Sequence, residues 1–239
     1  METGCIIDVE TTGLDPNNDV IIEIGLIEFA VDNDTKQPQI LSMYSACENP
    51  NIPIPKKIEE MTGIKAQFLP GQKIDWSLVK AVFDRSTIII AHNAPFDQSF
   101  LMKKRELQDL DRHWACSQKH IDWEGKGFRS QALNYLAADH GFLNPFAHRA
   151  LFDCATTFRL ISPHLEELIA TSYQREIKLL AISAPFETKD MLKNKHYRWD
   201  GKERVWHKTV FESKIEEERH FLQSKIYPGN KSLHEERWV

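Results

Sequence analysis

Six residues near the start, CIIDVE from Cys5 to Glu10, constrain this chain more than any other stretch. The run is short, apolar and β-branched, and it ends at the turn-prone TTGLDPNND, so it predicts a buried strand. Strand periodicity sends Asp8 and Glu10 to one side of the sheet and Val9 to the other. Two like charges on neighbouring same-face positions repel. At the end of an otherwise apolar strand they coexist only with a proton or a cation between them. A divalent metal ion is the economical solution.

The next segments extend that strand into a sheet. VIIEIGLIEFAVD, a polar turn NDTKQPQ and ILSMYSACEN predict two more strands on short connections, hence an antiparallel meander. IPIPKKIEEMTGI predicts a loop entering a short helix, with Pro53 and Pro55 keeping its start extended. Asp75 caps a helix running to about Phe83, with Leu78, Val79, Val82 and Phe83 as its apolar positions. Strand and helix then alternate. TIIIAH is a buried strand and PFDQSFLMKKREL a helix with Pro95 in its first turn. HWACSQKH is a candidate strand, and SQALNYLAADHG a helix capped by Ser130 and stopped at Gly141. ALFDCATTFRLISPHLEELIATSYQREI predicts a long helical region bent near Pro163. A meander followed by β-α alternation predicts an α/β fold with a mixed sheet covered by helices.

At 239 residues the chain holds one full domain and a small second one. The expected division is 1–180 and 185–239, because the helical pattern breaks near Pro185. Glutamates interrupt the longest apolar runs, so no segment spans a bilayer, and METGCIID is no secretory signal. Cys5, Cys47, Cys116 and Cys154 lack C-x-x-C spacing, which reads as free thiols in a reducing cytoplasm. A zinc site of Cys116 with His113 and His120 lacks a second cysteine at ligand spacing. The net charge of −5 argues against a nucleic-acid binder only weakly, because carboxylates that hold metal ions carry that sign for the purpose and the ions reverse it locally.

Three further residues bear on the first two acids. Asp97 follows TIIIAHNAPF at the start of a helix, where an anion is favoured simply as a cap. Asp153 lies in HRALFDC, five residues after His148; alone, His148 reads as a surface or core-edge histidine. Taken in order, D-x-E-T-T-G, H-N-A-P-F-D and H-x-x-x-x-D resemble the DEDDh branch of the DnaQ-like 3′→5′ exonucleases. The resemblance covers roughly residues 1 to 175 and includes MTGI, Met61 to Ile64. HRALFDC is most similar to the exonuclease X and polymerase III proofreading (epsilon) branches.

The resemblance implies a ribonuclease-H-like fold: a five-stranded mixed sheet flanked by helices, here with a small C-terminal α+β appendage. It also implies two Mg²⁺ or Mn²⁺ ions. Phosphodiester hydrolysis needs an activated water, charge neutralisation at phosphorus and help for the leaving 3′-oxygen, and two hard ions about 4 Å apart supply all three. By analogy, Asp8 bridges both ions, Glu10 and Asp153 complete the ion carrying the attacking water, and Asp97 holds the other. His148 takes the proton, a role suited to imidazole; it follows the Gly- and Pro-containing GFLNPFA and is expected to be mobile. Thr11, Thr12, Gly13 and Leu14 occupy the family's place for backbone and sugar contacts, and Leu14, Met61 and Phe96 would sandwich the terminal base, or else belong to the core. Asn93 is counted with them, although with His92 it also suits bracing the loop that carries Asp97. The expected partner is a nucleic-acid 3′ end, DNA favoured and RNA the alternative, with single-stranded ends preferred. No membrane partner is expected; a polymerase-bound proofreading role, or another protein partner, stays open, although no docking peptide indicates one.

The tail differs in composition. Residues 185–210 are net basic and interleave Tyr197, Trp199 and Trp206, a pattern that fits either nucleic-acid contacts or a mini-domain with its own aromatic core. YRWDGKERVWHKTV predicts a hairpin turning tightly at Asp200-Gly201, and Ser213 and Glu216 stand at capping-box spacing. A module that binds without catalysis is the competing functional class, and the complete set of five residues argues against it.

Overall fold

The computed structural model describes residues 3–32, 34–35, 37–229 and 234–238, and its chain divides into two compact units, Met1–Ser172 and Tyr173–Val239.

The first unit opens with the expected meander: β1 (Thr3–Thr11), β2 (Ile21–Val31) and β3 (Pro38–Cys47), each antiparallel to the next. Helix α1 (Lys56–Thr62) and helix α2 (Trp76–Arg85) follow. The Asp75 side chain accepts the Leu78 N–H and caps α2 as anticipated. Trp76, Val79, Val82 and Phe83 face the core, whereas Leu78 points outward. Strand β4 (Ile88–Ala91), helix α3 (Ala94–Leu101) and strand β5 (His113–Cys116) add the parallel half. The sheet order β3-β2-β1-β4-β5 is the mixed five-stranded arrangement expected, with β1 at its centre. Helices α4 (Leu133–Asp139), α5 (Ala150–Ile161) and α6 (Leu165–Ser172) complete the unit.

The sheet is buried on both faces. Cys5, Ile7 and Val9 pack with Leu26, Val79 and Phe83 on one side, and Ile6, Ile27 and Phe29 with Cys154, Leu160 and Ile161 on the other. The second face is where Asp8 and Glu10 emerge and where α5 lies. Gly25, opposite Asp8 in the β1–β2 register, makes that contact close: a Cβ there would stand 2.3 Å from the Ala150 carbonyl carbon and the Leu151 nitrogen.

Several local expectations are corrected. α3 ends at Leu101, and the next residues form turns up to a short 3-10 segment at Arg105–Leu107. Ser130 is no helix cap: α4 begins at Leu133, and the Ser130 hydroxyl accepts the Ala132 N–H in a local turn. Gly141 does end that helix, with φ +79°. The long helical region breaks at Ser162–His164, around Pro163, and stops at Ser172. Its last residues, at the start of EIKLLA, alternate inward and outward as a strand instead.

That strand, β6 (Glu176–Ala181), is an inner strand of the second unit, so this unit begins ahead of the boundary expected near residue 180. Helix α7 (Lys189–Asn194), strands β7 (Arg198–Asp200) and β8 (Val205–Phe211), helix α8 (Ile215–Phe221) and strand β9 (His234–Trp238) follow. The four-stranded sheet has the order β7-β8-β6-β9, all antiparallel. The hairpin is present, but Asp200 pairs with Val205 across four loop residues. The Asp200 carboxylate accepts the N–H groups of Lys202 and Glu203, which shapes a wider turn than Asp-Gly alone. The capping box is absent: Lys214 precedes α8, and Glu216 pairs with Arg219. Ile177, Leu179, Tyr197, Val210, Ile215 and Leu222 form this unit's core. Trp206 packs on it, whereas Trp199 is largely exposed beside Trp206, ring centroids 5.5 Å apart. The buried Glu218 carboxylate receives both the Tyr197 hydroxyl and the Lys208 ammonium.

Candidate active site

The carboxyl end of β1 gathers the sequence-predicted acids. Asp8 and Glu10 project from the face that α5 covers. Asp97, one turn into α3 and only 2 % exposed, reaches across the strand end, and its Oδ1 accepts the Val9 N–H at 3.0 Å. It is therefore tied to the strand of Asp8 and Glu10 rather than spent as a local cap. Asp153, in the first turn of α5, is buried; its Oδ2 accepts the His148 N–H at 3.1 Å, and its Oδ1 takes the Asn144 amide. One ligand atom each from Glu10, His148 and Asp153 lie within 4.8 Å of one another. His148 is exposed and holds a positive φ of +61°.

This concentration of negative charge changes proton affinity. Burial, then the neighbouring charges of Asp153, Glu23 and Asp97, push the Glu10 carboxyl up to about 8. Burial pushes Asp97 up to about 8 against the hydrogen bond from Val9. Burial followed by Asp97 and Asp153 holds Asp8 well above the usual carboxylate range. Asp153 is raised by burial, with the His148 N–H opposing. Buried carboxylates that repel one another are held together stably by a hard cation, and a donor set of carboxylate oxygens with no thiolate fits Mg²⁺ or Mn²⁺. The zinc alternative does not assemble. His113 Nε2 lies 2.8 Å from the Ser172 hydroxyl, and His120 Nδ1 accepts the Cys116 N–H at 3.0 Å. All four cysteines are free thiols.

The residues expected to grip a nucleotide divide into two kinds. Thr11 and Thr12 are buried and shape the loop itself: Thr11 Oγ1 donates to the Gly13 carbonyl, and Thr12 Oγ1 donates to Asp19 and accepts the Val20 N–H. Gly13 lies so close to Asp19 that a Cβ would meet its carboxylate at 2.4 Å. Leu14 is 83 % exposed and Met61 is also exposed, while Phe96 is half-buried against Phe100. Asn93, exposed with φ +71°, turns the chain into α3, and His92 is fixed between the Ser117 hydroxyl and the Gln131 carbonyl, both at 2.8 Å.

Sequence reasoning missed four contributors. Glu23 on β2 stands opposite Glu10 and binds Arg149. Asn144 holds Asp153. Phe152 lies exposed against Phe146, ring centroids 4.6 Å apart, whereas its neighbour Leu151 packs on the core. Only Glu23 left a trace in the sequence, as an acid in the apolar run VIIEIGL that needs a buried partner.

The exonuclease family profile matches residues 5–161, so this chain belongs to that family. Among relatives it is 32 % identical over 179 residues to the PolC-type DNA polymerase III of Thermotoga petrophila, covering 69 % of this chain and 12 % of that protein. It is 31 % identical over 169 residues to the 3′-5′ exonuclease DinG of Staphylococcus aureus (strain USA300), covering 67 % and 18 %. The chain thus spans under a fifth of the length of these relatives. Among solved structures, exonuclease X in complex with 5′-overhanging duplex DNA aligns with a TM-score of 0.50 and 23 % identity, over 71 % of this chain and 99 % of that one. A 3′-exonuclease in 3′-end-specific recognition of a histone mRNA stem-loop aligns with a TM-score of 0.54 and 19 % identity, over 70 % and 64 %. The first unit has the ribonuclease-H-like exonuclease fold that the motifs implied.

Proposed function

We propose that this chain is a two-metal-ion 3′→5′ exonuclease that releases nucleoside 5′-monophosphates from DNA, acting on single-stranded ends in the cytoplasm. The observation that carries the proposal is the convergence of Asp8, Glu10, Asp97, Asp153 and His148 at one strand end of an exonuclease-family fold. No helix among the described residues is long and apolar enough to cross a membrane.

Asp8, Glu10, Asp97 and Asp153 would hold two Mg²⁺ or Mn²⁺ ions. When bound, such ions supply a nucleophilic water at neutral pH and neutralise charge at phosphorus and on the leaving oxygen. His148 receives the proton of the attacking water, since it sits beside Glu10 and Asp153 and is open to solvent. Leu14 and Met61, exposed beyond the acids in sequence, and the rim of Phe96 offer apolar surface to the terminal base; stacking of that kind tolerates any base. Thr11, Thr12, Gly13 and Asn93 serve by fixing the backbone that faces the terminal sugar. The second unit, with its net-basic residues 185–210 and exposed Trp199, would add contacts to nucleic acid.

An exoribonuclease acting through the same residues is the alternative, since one relative by fold recognises an RNA 3′ end. The sequence relative that is a DNA polymerase favours DNA. Hydrolysis in ¹⁸O-labelled water tests the chemistry. The expected product is a nucleoside 5′-monophosphate carrying one ¹⁸O on phosphorus, formed faster from DNA than from RNA of the same sequence. Release of 3′-phosphates, or of oligonucleotides in the first turnover, would refute it.

A further inference from the structure

Glu23 is a buried carboxylate that no step above uses. It is 1 % exposed, and its oxygens are fully engaged: Arg149 Nε at 3.1 and 3.2 Å, Arg149 Nη2 at 2.8 Å, and the Ala150 N–H at 3.0 Å. Ala150 is the first residue of α5, and Arg149 before it has extended dihedrals and caps nothing with its own side chain. A carboxylate on a neighbouring strand thus satisfies an orphan N–H at the helix start and complements the helix dipole. Gly25, two residues along β2, lets the same turn of α5 lie against the sheet.

The residue before this clamp is His148. Its φ of +61° is a region that a non-glycine residue enters only when its surroundings hold it there. The hold comes from both sides. The His148 N–H is bound to Asp153, and the next side chain and the next amide are bound to Glu23. Glu23 also stands directly opposite Glu10 across the β1–β2 pair. It adds a negative charge where carboxylates already repel, so its use is not electrostatic relief. What it supplies is a fixed distance between the strand that carries Glu10 and the backbone that carries His148.

Taking the function proposed above as its premise, we propose that Glu23 is a positioning residue for the general base. With Arg149 it holds His148 over Glu10 and Asp153, and it contacts neither metal nor substrate.

A double-mutant cycle separates this role from general support of the fold. Wild type, Glu23→Gln, His148→Ala and the double variant are compared in single-turnover cleavage of a 5′-labelled DNA strand at saturating Mn²⁺. A misplacement of the base by about 1 Å corresponds to a loss on the order of 100-fold. Glu23→Gln is therefore expected to lower the rate about 10- to 100-fold while KM and the calorimetric Mn²⁺ affinity change less than about twofold, and the double variant should match His148→Ala alone. Without metal, hydrogen–deuterium exchange should quicken in the peptide spanning residues 146–152. Arg149→Lys, which keeps the charge but cannot make the bidentate pair, should reproduce these effects and serves if Glu23→Gln folds poorly. Multiplicative losses in the double variant, a parallel fall in Mn²⁺ affinity, or full activity in Glu23→Gln would overturn the positioning role. Full activity in His148→Ala would instead remove the general base, and this inference with it.

Discussion

Glu10→Gln should make the metal-free protein more stable at pH 8. Glu10 is buried among Asp153, Glu23 and Asp97, and its carboxyl is pushed from 4.5 to about 8. Because the folded-state value lies above the unfolded one, the folded chain binds the extra proton between about pH 5 and pH 8. Stability is then fully present below pH 5 and falls as pH rises through that window. Each tenfold change in proton affinity is worth about 1.4 kcal/mol, so the buried charge withholds on the order of 4 kcal/mol at pH 8. Glutamine keeps the shape without the charge and can donate to the remaining carboxylates; allowing for an imperfectly bonded amide, a gain of roughly 2–3 kcal/mol is expected. For a domain of this size that corresponds to a rise in Tm of roughly 5–10 °C. Thermal unfolding in EDTA at pH 5 and pH 8 reads it directly. The variant should exceed wild type at pH 8, match it at pH 5, and gain less than wild type from added Mn²⁺. A Glu10→Gln protein that is less stable than wild type at pH 8, or equally displaced at both pH values, would refute the electrostatic reasoning.

Other outcomes follow from the same geometry. His148→Ala should lower kcat by about 10²–10⁴-fold with Mn²⁺ affinity unchanged by calorimetry, as loss of a general base requires. Asp97→Asn retains an acceptor for the Val9 N–H, so it should keep the wild-type fold by circular dichroism while losing Mn²⁺ affinity at least tenfold. Gly25→Ala drives a methyl group into the α5 backbone at 2.3 Å and should destabilise the first unit by about 1–3 kcal/mol or more in urea unfolding. Leu14→Ala with Met61→Ala should raise KM for a DNA strand several-fold and leave Tm within about 2 °C, because both side chains are exposed.

The first unit was legible because its signals are local. The β1 alternation put Asp8 and Glu10 on one face, and Asp75, Pro95 and Gly141 mark helix ends by their own chemistry. The candidate catalytic acids are legible as residue types at set spacings, although only the fold shows that Asp97 is tethered to β1. What escaped depends on distant partners. Glu23 and Arg149 are separated by 126 positions, and nothing near either announces the other. Asn144 and the Phe146–Phe152 contact arise from how one loop folds back on α5. The run from Ser172 into β6 reads as helix in the sequence because the helical pattern of α6 leads into it without a proline or glycine break, and the period-2 burial of Ile177 and Leu179 has meaning only beside β8.

The most direct measurement follows 5′-labelled single-stranded DNA and RNA of one sequence, incubated with Mn²⁺ or with EDTA, using wild type and Asp8→Ala. A ladder shortening from the 3′ end, abolished by EDTA and by Asp8→Ala and formed faster on DNA, is the predicted result. An unchanged ladder in EDTA or in Asp8→Ala, or no ladder on either strand, would contradict a metal-dependent exonuclease centre at the end of β1.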